Sequence, residues 1–125
     1  MKKIIFDTNF IFNCVKYKVD FISELNRIMH EKYEVFVLDS TKIELDAISK
    51  KETKNKPIVK LVLSIIAAKN IKVIHTKESY ADQILFDLSK EDYTIATNDK
   101  ILKQRIKDQK KKVIFIRKNQ YLIYE

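Results

Sequence analysis

Four acidic residues stand at positions where a folded chain could carry out metal-assisted chemistry. They are Asp7, Glu44, Asp82 and Asp99. The first and the last each follow a short apolar run, at residues 2–6 and 93–96, and the second comes after a similar run at residues 35–38. Such runs are typical of buried strands, and α/β proteins bind ligands outside the carboxyl ends of these strands. Because the remaining acid opens an apolar stretch with helical spacing, we expect all four to meet at one edge of a sheet.

Each acid also has a purely structural explanation. Asp7 and Asp99 could cap or charge-stabilise the first turn of a helix, and Asp82 lies near a predicted helix start. Thr41 and Glu44 match the Ser/Thr-x-x-Glu capping box, in which each side chain bonds to the backbone of the other residue. The joint placement of four acids at strand ends and helix starts nevertheless favours a site.

A cluster of carboxylates in a crevice needs a cation, because like charges a few Å apart repel each other. All the candidate ligand atoms are oxygens, which favours Mg²⁺ or Mn²⁺. Such an ion lowers the pKa of a bound water and neutralises charge on a phosphate, so no histidine base is needed. Four small polar residues could orient the acids and the metal-bound water. These supporting residues are Thr8, Asn9, Thr97 and Asn98.

The charge balance of the chain indicates a polyanionic partner. The 125 residues include 25 Lys and Arg against 17 Asp and Glu, a net charge of +8. Basic residues concentrate at residues 50–56, which we predict to be a loop, and after residue 99, and such clusters attract phosphates. The solvated surface of a thermophile's protein, or a biased genome, would explain the same composition. The candidate phosphate-binding residues after residue 99 are Lys100, Lys103, Arg105 and Lys107.

Several classes of protein are disfavoured by composition. A chain without Gly cannot form the glycine-rich phosphate loops of Walker or Rossmann nucleotide sites. Cys14 stands alone, and His30 and His75 lack zinc-ligand spacing. No apolar stretch approaches the roughly 18 to 20 residues of a membrane helix, and the N-terminus lacks the pattern of a signal peptide. We therefore expect a cytoplasmic protein without a membrane partner.

Strands and helices are predicted to alternate along the chain. The predicted strands cover residues 2–6, 34–38, 71–74, 93–96 and 113–116, and residues 121–124 could add a short edge strand. The predicted helices cover residues 20–30, 39–49, 55–69, 80–88 and 99–109. This alternation favours a parallel sheet with right-handed crossovers, in a three-layer α/β/α arrangement. We expect residues 1–125 to form a single domain.

The segments that carry the acids resemble the motifs of PIN-domain nucleases. They are residues 7–9, 43–45, 81–82 and 96–99, in the order and with the spacing of that family. The resemblance implies a five-stranded parallel sheet in the order 3-2-1-4-5 and an acidic pocket that binds Mg²⁺ or Mn²⁺. It also implies endonucleolytic cleavage of single-stranded RNA. By the same carry-over, Asp7, Glu44, Asp82 and Asp99 are the metal-binding and catalytic acids, with Asn9 in support.

The resemblance leaves the branch of the family open. Residues 95–121 are similar both to members that process archaeal or ribosomal RNA and to toxin-type members, which implies either a ribosome-assembly partner or an antitoxin. The expected partner is single-stranded or structured RNA, and a homodimer stays open. Many relatives carry a further acid two positions after the counterpart of Asp99, where this chain has Ile101. The resemblance therefore does not extend to a full second metal site.

Two other classes of function compete with a nuclease. A PIN-like module that has lost catalysis would serve as an RNA-binding or ribosome-assembly scaffold, although the presence of all four acids argues against it. A phosphotransfer receiver domain also places an acidic pocket in a small α/β fold. Receivers carry paired acids after the first strand, whereas Asp7 stands alone there. The receiver interpretation therefore fails on the placement of residues.

Overall fold

A computed structural model describes residues 1–77 and 80–125. The strands are β1 (Lys2–Phe6), β2 (Tyr33–Leu38), β3 (Lys72–Ile74), β4 (Tyr93–Ala96), β5 (Val113–Arg117) and β6 (Tyr121–Tyr124). The helices are α1 (Thr8–Lys16), α2 (Phe21–Ile28), α3 (Thr41–Lys51), α4 (Lys56–Ala68), α5 (Ala81–Ser89) and α6 (Lys100–Asp108). A short 3-10 helix at Thr53–Asn55 separates α3 from α4. None of the helices in these two ranges has the length and apolar character that a membrane crossing requires.

The sheet has β1 at its centre. Its strand order is β3-β2-β1-β4-β5-β6. The first five strands run parallel, with Ile4 of β1 opposite Val35 of β2 on one side and Thr94 of β4 on the other. The predicted order 3-2-1-4-5 is thus confirmed. The short edge strand suggested at residues 121–124 is present as β6, which pairs antiparallel with β5 and extends the sheet to six strands.

Helices cover both faces of the sheet because the side chains of β1 alternate between two cores. Ile4 and Phe6 belong to the larger core, which includes buried residues of α1, α2 and α4. Ile5 belongs to the second core, with buried residues of α5 and α6. This alternation follows from the two-residue period of a strand, and it produces three layers. The carboxyl ends of β1, β2 and β4 consequently open at one edge between the helix layers.

Helix α1 is not among the elements predicted from the sequence. It follows Asp7 directly and buries most of its residues, including Phe10, Ile11 and Phe12. A helix that is apolar on most sides lacks the clear one-sided pattern by which a surface helix is recognised. Its ring contacts explain its position, since Phe10 lies 4.9 Å from Phe6 between ring centroids. Helix α1 therefore anchors the end of β1 in the core.

Several turns of this glycine-free chain place other residues in the left-handed backbone conformation. Within the described residues they are Lys18, Asn70, Lys110, Lys118 and Asn119, with φ between 53° and 62°. The first three follow the ends of α1, α4 and α6, where glycine is the usual residue. The last two form a turn closed by the Gln120 N–H, which donates to the carbonyl of Arg117 at 3.1 Å. Two consecutive left-handed residues make a type I′ turn, which reverses the chain and explains why β6 is antiparallel.

Candidate active site

Asp7 lies at the carboxyl end of β1, where its backbone N–H donates to the carbonyl of Ala96 at 2.9 Å. It occupies the N-cap position of α1, but its side chain does not cap that helix. Instead, Oδ2 accepts a hydrogen bond from the Thr97 hydroxyl at 2.8 Å. Burial of the carboxyl raises its pKa to about 6; the Thr97 bond opposes this shift, and the charges of Asp82 and Glu44 add to it. Asp7 is thus a crowded, buried acid.

Thr97 connects Asp7 to Asp99. The Thr97 side chain is fully buried at the end of β4, and its hydroxyl oxygen also accepts the backbone N–H of Asp99 at 3.1 Å. Asp99 caps α6, since its Oδ1 accepts the N–H of Leu102 at 2.8 Å. The structural explanation predicted for Asp99 is therefore met in part, because one of its oxygens stabilises the helix start. A single hydroxyl links the two acids at the ends of neighbouring strands.

Glu44 lies on the first turn of α3, but the predicted capping box with Thr41 does not form. The Ser40 hydroxyl donates to Glu44 Oε1 at 3.1 Å. Thr41 is buried, and its hydroxyl oxygen lies 2.9 Å from that of Thr8. This contact ties the start of α3 to the start of α1. The box spacing was therefore misleading, because a buried partner 33 residues away engages the hydroxyl that would have formed the box.

A cleft of about 750 Å³ opens beside these acids. Its lining residues are Asp39, Ser40, Ile43, Glu44, Thr76, Tyr80, Ala81 and Asp82. Asp39 ends β2 as Asp7 ends β1, a signal that could have identified it as a further acid of this edge. The N–H and hydroxyl of Thr76 donate to its carboxylate at 3.0 and 3.1 Å. The backbone hydrogen bond from Thr76 is the main cause that lowers the pKa of Asp39. Asp39 therefore ties β2 to the residues after β3.

The acids share an edge without forming a finished metal site. Glu44 and Asp82 are close enough to Asp7 to raise its pKa, and Asp99 is linked to it through Thr97. Within residues 1–77 and 80–125, no group of three Asp, Glu, His or Cys side chains has the spacing to hold a metal ion. The donors are all carboxylate oxygens, and their mutual repulsion is what a hard divalent cation would relieve. The residues therefore fit Mg²⁺ or Mn²⁺ in chemical type.

The four predicted supporting residues differ in their contacts. Thr8 and Thr97 are buried and make the bonds described above. Asn98 is used in the fold, because its amide donates to the carbonyl of Ile116 at 2.9 Å and accepts the N–H of that residue at 2.8 Å. It thereby continues the pairing of β4 with β5 beyond the end of β4. Asn9 is exposed on the first turn of α1.

Three cations surround one aromatic ring on the α6 side of the sheet. Lys103 Nζ lies 4.0 Å from the centroid of Phe115, Lys107 Nζ lies 5.2 Å from it and the Arg117 guanidinium carbon 5.5 Å. Burial and then the charges of Lys107 and Arg117 lower the pKa of Lys103. Glu125 is the acid beside them, 3.5 Å from Lys107 and 3.6 Å from Arg117. This cation cluster has an excess of positive charge.

The other predicted cations lie elsewhere. Lys100 is exposed at the start of α6. Arg105 turns toward α5, with its guanidinium carbon 3.9 Å from the ring centroid of Phe86. The basic segment at residues 50–56 is not the loop predicted from the sequence, because it comprises the end of α3, the 3-10 helix and the first residue of α4. Lys50 and Lys54 are each paired with an acid of the same region. The cluster around α6 is therefore the stronger candidate for binding phosphate.

A parallel sheet between two layers of helices, with carboxylates at the ends of its strands, is the architecture of a PIN-like domain. The chain belongs to this family: it matches the family described as "PIN like domain" over residues 4–119. It is 32% identical over 124 residues to Ribonuclease VapC4 of Methanocaldococcus jannaschii, covering 97% of this chain and 95% of that protein.

Solved structures with a similar fold include a PIN domain endonuclease and a domain of unknown function. One is the PIN domain endonuclease Utp24, with a TM-score of 0.77 and 25% identity; the alignment covers 98% of this chain and 90% of the other. The second is a domain of a functionally unknown protein from Methanocaldococcus jannaschii, with a TM-score of 0.58, 16% identity and 94% and 92% coverage. The second likeness supports the fold alone. The predicted family is thus confirmed.

Proposed function

We propose that the protein is a divalent-metal-dependent endoribonuclease that hydrolyses phosphodiester bonds of single-stranded RNA. The observation that carries the proposal is Asp7, a buried carboxyl crowded by Glu44 and Asp82 and joined through Thr97 to Asp99. Several carboxylates close together at the carboxyl ends of the strands repel each other unless a cation is bound. Membership of the PIN-like family, with a ribonuclease and an endonuclease among the similar proteins, supports the same function.

The proposed metal ligands are Asp7, Glu44, Asp82 and Asp99. When bound, Mg²⁺ or Mn²⁺ would activate a water molecule and neutralise charge on the phosphate. The chain's own contribution is positioning. Thr97 holds the carboxylate of Asp7 and the backbone of Asp99, and the buried contact between Thr8 and Thr41 fixes the start of α3 relative to β1.

The proposed contacts to the RNA backbone lie along α6. Lys100 begins this helix directly after Asp99, and Lys103 and Lys107 follow on successive turns. We include Arg117, which sequence reasoning did not single out, because it shares the Phe115 ring with both lysines. Lysine and arginine that contact phosphates release counterions, which favours binding at low salt.

The test is cleavage of single-stranded RNA by purified parent, Asp7→Asn and Asp99→Asn. We expect cleavage by the parent only with Mg²⁺ or Mn²⁺, and loss of most activity in both variants with the fold retained. Asp46→Asn serves as the matched control, because Asp46 is an exposed acid of α3 paired with Lys50. Cleavage that continues in excess EDTA would refute the metal mechanism.

The second candidate function is an RNA-binding or ribosome-assembly scaffold without catalysis. It is favoured by the absence, among the described residues, of any three-acid group spaced to hold a metal. No cleavage of any RNA together with no Mn²⁺ binding would support it. Within the nuclease proposal, the likeness to VapC4 favours an antitoxin partner and the likeness to Utp24 favours a role in RNA processing.

A further inference from the structure

Large apolar side chains are exposed beside three of the four proposed catalytic acids. Ile43 is 75% exposed, Tyr80 76% and Ile101 76%, the highest values among the exposed large apolar residues of the described chain. Ile43 immediately precedes Glu44, Tyr80 stands two residues before Asp82, and Ile101 two residues after Asp99. Single exposed apolar residues are ordinary on protein surfaces. Three that each accompany a proposed acid of one site call for a common explanation: Ile43 and Tyr80 line one cleft, and Ile101 lies on the first turn of α6 beside Asp99.

Within the described residues, the Tyr80 side chain has no ring stack, cation–π contact or hydrogen bond, whereas four of the other five tyrosines have at least one. Tyr93 packs edge-on against Phe36, and the hydroxyl of Tyr33 donates to the side chain of Asn26 at 2.7 Å. Tyr17 and Tyr124 each lie beside a lysine ammonium. The backbone of Tyr80, in contrast, is well anchored, since its carbonyl accepts the N–H of Ile84 at 3.1 Å in the first turn of α5. The structure thus presents an aromatic ring to solvent on a fixed support.

The cleft suits a nucleobase in size and chemistry. Tyr80 and Ile43 come from α5 and α3 and line the same cleft of about 750 Å³ as Glu44 and Asp82. Small-molecule sites are clefts of this order of size, with apolar walls and a few polar groups. A nucleotide has both components, because its phosphate is anionic and its base has an apolar π-face. An aromatic ring next to the proposed cleavage site is therefore placed to stack a base.

We propose that Ile43, Tyr80 and Ile101 form a base-binding collar around the acidic edge. In this collar, Tyr80 stacks on the nucleobase next to the scissile phosphate and Ile43 packs against the same nucleotide. Ile101, on the first turn of α6, contacts the base on the other side of that phosphate. The inference rests on the proposed ribonuclease function and extends it to substrate choice. Because every base has a π-face, the collar selects unpaired RNA with little preference for sequence.

The experiment combines protein variants with RNA that lacks one base. A single-stranded oligonucleotide with one mapped cleavage site is made with an abasic residue at each position in turn. Its binding to parent, Tyr80→Ala and Tyr80→Phe is measured in EDTA, and its cleavage in Mn²⁺. Tyr17→Ala is the control, since Tyr17 is 42% exposed at the end of α1 and does not line the cleft. Thermal melts verify that each variant folds.

We expect Tyr80→Ala to weaken RNA binding by about 5- to 150-fold, the range for loss of one base–aromatic stack. Tyr80→Phe restores the affinity, and Tyr17→Ala binds as the parent does. For the parent, RNA with an abasic residue at one position next to the cleavage site binds as weakly as intact RNA binds to Tyr80→Ala. The same abasic RNA binds Tyr80→Ala no more weakly than intact RNA does. Parental affinity in a folded Tyr80→Ala, or additive losses at every abasic position, would overturn the collar while leaving the nuclease proposal standing. A parent that neither binds nor cleaves RNA would refute the nuclease proposal itself.

Discussion

At the scale of single residues, the burial of Asp7 sets how the stability of the protein depends on pH. An acid with a raised folded-state pKa binds more protons in the folded state than in the unfolded state, between its ordinary pKa and the raised value. The contribution of Asp7 to stability is therefore full below its ordinary pKa of 3.8 and falls as pH rises to about 6. This shift corresponds to roughly 3 kcal/mol of unfolding free energy.

We expect the metal-free protein to be more stable at pH 5 than at pH 7.5. Denaturant unfolding in EDTA measures this difference, and Asp7→Asn is expected to reduce it and to be more stable than the parent at pH 7.5. The comparison is not extended below pH 5. Hydrogen bonds lower the pKa values of Asp20 and Asp39, so their contribution to stability is lost in more acidic solution. An unchanged pH dependence in Asp7→Asn would show that the carboxyl is not crowded in solution.

Glu44 gives a second residue-scale prediction. If it belongs to the acidic site, Glu44→Gln relieves repulsion with Asp7 and stabilises the metal-free protein. Mn²⁺ stabilises the parent as RT ln(1 + [L]/Kd), and we expect a much smaller increase in the variant, together with loss of cleavage. Thermal melts with and without Mn²⁺ measure both effects. The control is Asp46→Asn on the same helix, and full cleavage with an undiminished Mn²⁺ shift in Glu44→Gln would remove Glu44 from the site.

Sequence reasoning could single out Asp7 and Asp99 as candidates because Asp7 directly follows an apolar strand and Asp99 stands three residues after the end of another. It could not identify the partner of Thr41, because a capping box is a local pattern and the contact with Thr8 joins residues far apart in the chain. The double role of Thr97 was equally hidden, since its hydroxyl connects the ends of two strands that pair only in the folded state. Local signals therefore locate the acids, whereas tertiary packing determines how they are held.

At the scale of elements, α6 presents its basic residues in two directions. Lys103 and Lys107 are four residues apart and share the Phe115 ring, whereas Arg105 packs on Phe86 of α5. We expect Lys103→Ala with Lys107→Ala to reduce the slope of log affinity against log salt by about 1.4, which is roughly 0.7 for each lost contact to single-stranded RNA.

The salt dependence is measured by titrating RNA in EDTA at several salt concentrations. The matched control is Lys56→Ala with Lys60→Ala, an exposed pair with the same spacing on α4. A reduced slope in the control pair and an unchanged slope in the α6 pair would place the RNA backbone along α4 instead. Glu125 already neutralises part of the cation cluster, so the decrease of about 1.4 is the upper bound of the expected effect.

The positions of most strands and helices could be predicted from the sequence, because each strand is a short apolar run and most helices have one apolar face. The strand order came from the family resemblance, since periodicity does not specify which strands are neighbours. Residues 50–56 were predicted wrongly as a loop. Their many charges are typical of an exposed loop, but most of these residues are helical, and the break between α3 and α4 is short. The direction of β6 depends on the turn at Lys118 and Asn119. Glycine is the usual sequence signal for a left-handed turn, and this turn has none.

At the scale of the whole molecule, charge is separated between two regions. The acids gather at the carboxyl edge of the sheet, whereas Lys103, Lys107 and Arg117 gather around Phe115 on β5. With a net charge of +8, the protein as a whole attracts a polyanion. The acids at the carboxyl edge of the sheet attract a cation instead. An RNA strand that reaches both regions would bring its phosphates to the proposed metal site and its flanking backbone to α6.

The left-handed turns have a consequence for engineering the molecule. A non-glycine residue in this conformation destabilises the folded state by roughly 1–2 kcal/mol. Glycine avoids that strain, but its greater freedom in the unfolded chain lowers the unfolding free energy by about 0.5–1 kcal/mol. We expect Lys110→Gly and Lys118→Gly each to raise the unfolding free energy modestly, by up to about 1 kcal/mol, measured by denaturant unfolding. Asn119→Gly should change it less, because asparagine tolerates this conformation better.

The two lysine turns lie at opposite edges of the sheet: Lys110 follows α6 on the edge away from the acids, whereas Lys118 lies in the β5–β6 hairpin, at the carboxyl end of β5. Gains at separated sites usually add. Replacing these lysines by glycine is therefore expected to stabilise this glycine-free chain without changing any of its four proposed catalytic acids. A doubly substituted protein would be a sturdier background in which to study damaging changes at the acids. Destabilisation by both substitutions would show instead that the lysine side chains at these turns contribute more than their backbone costs.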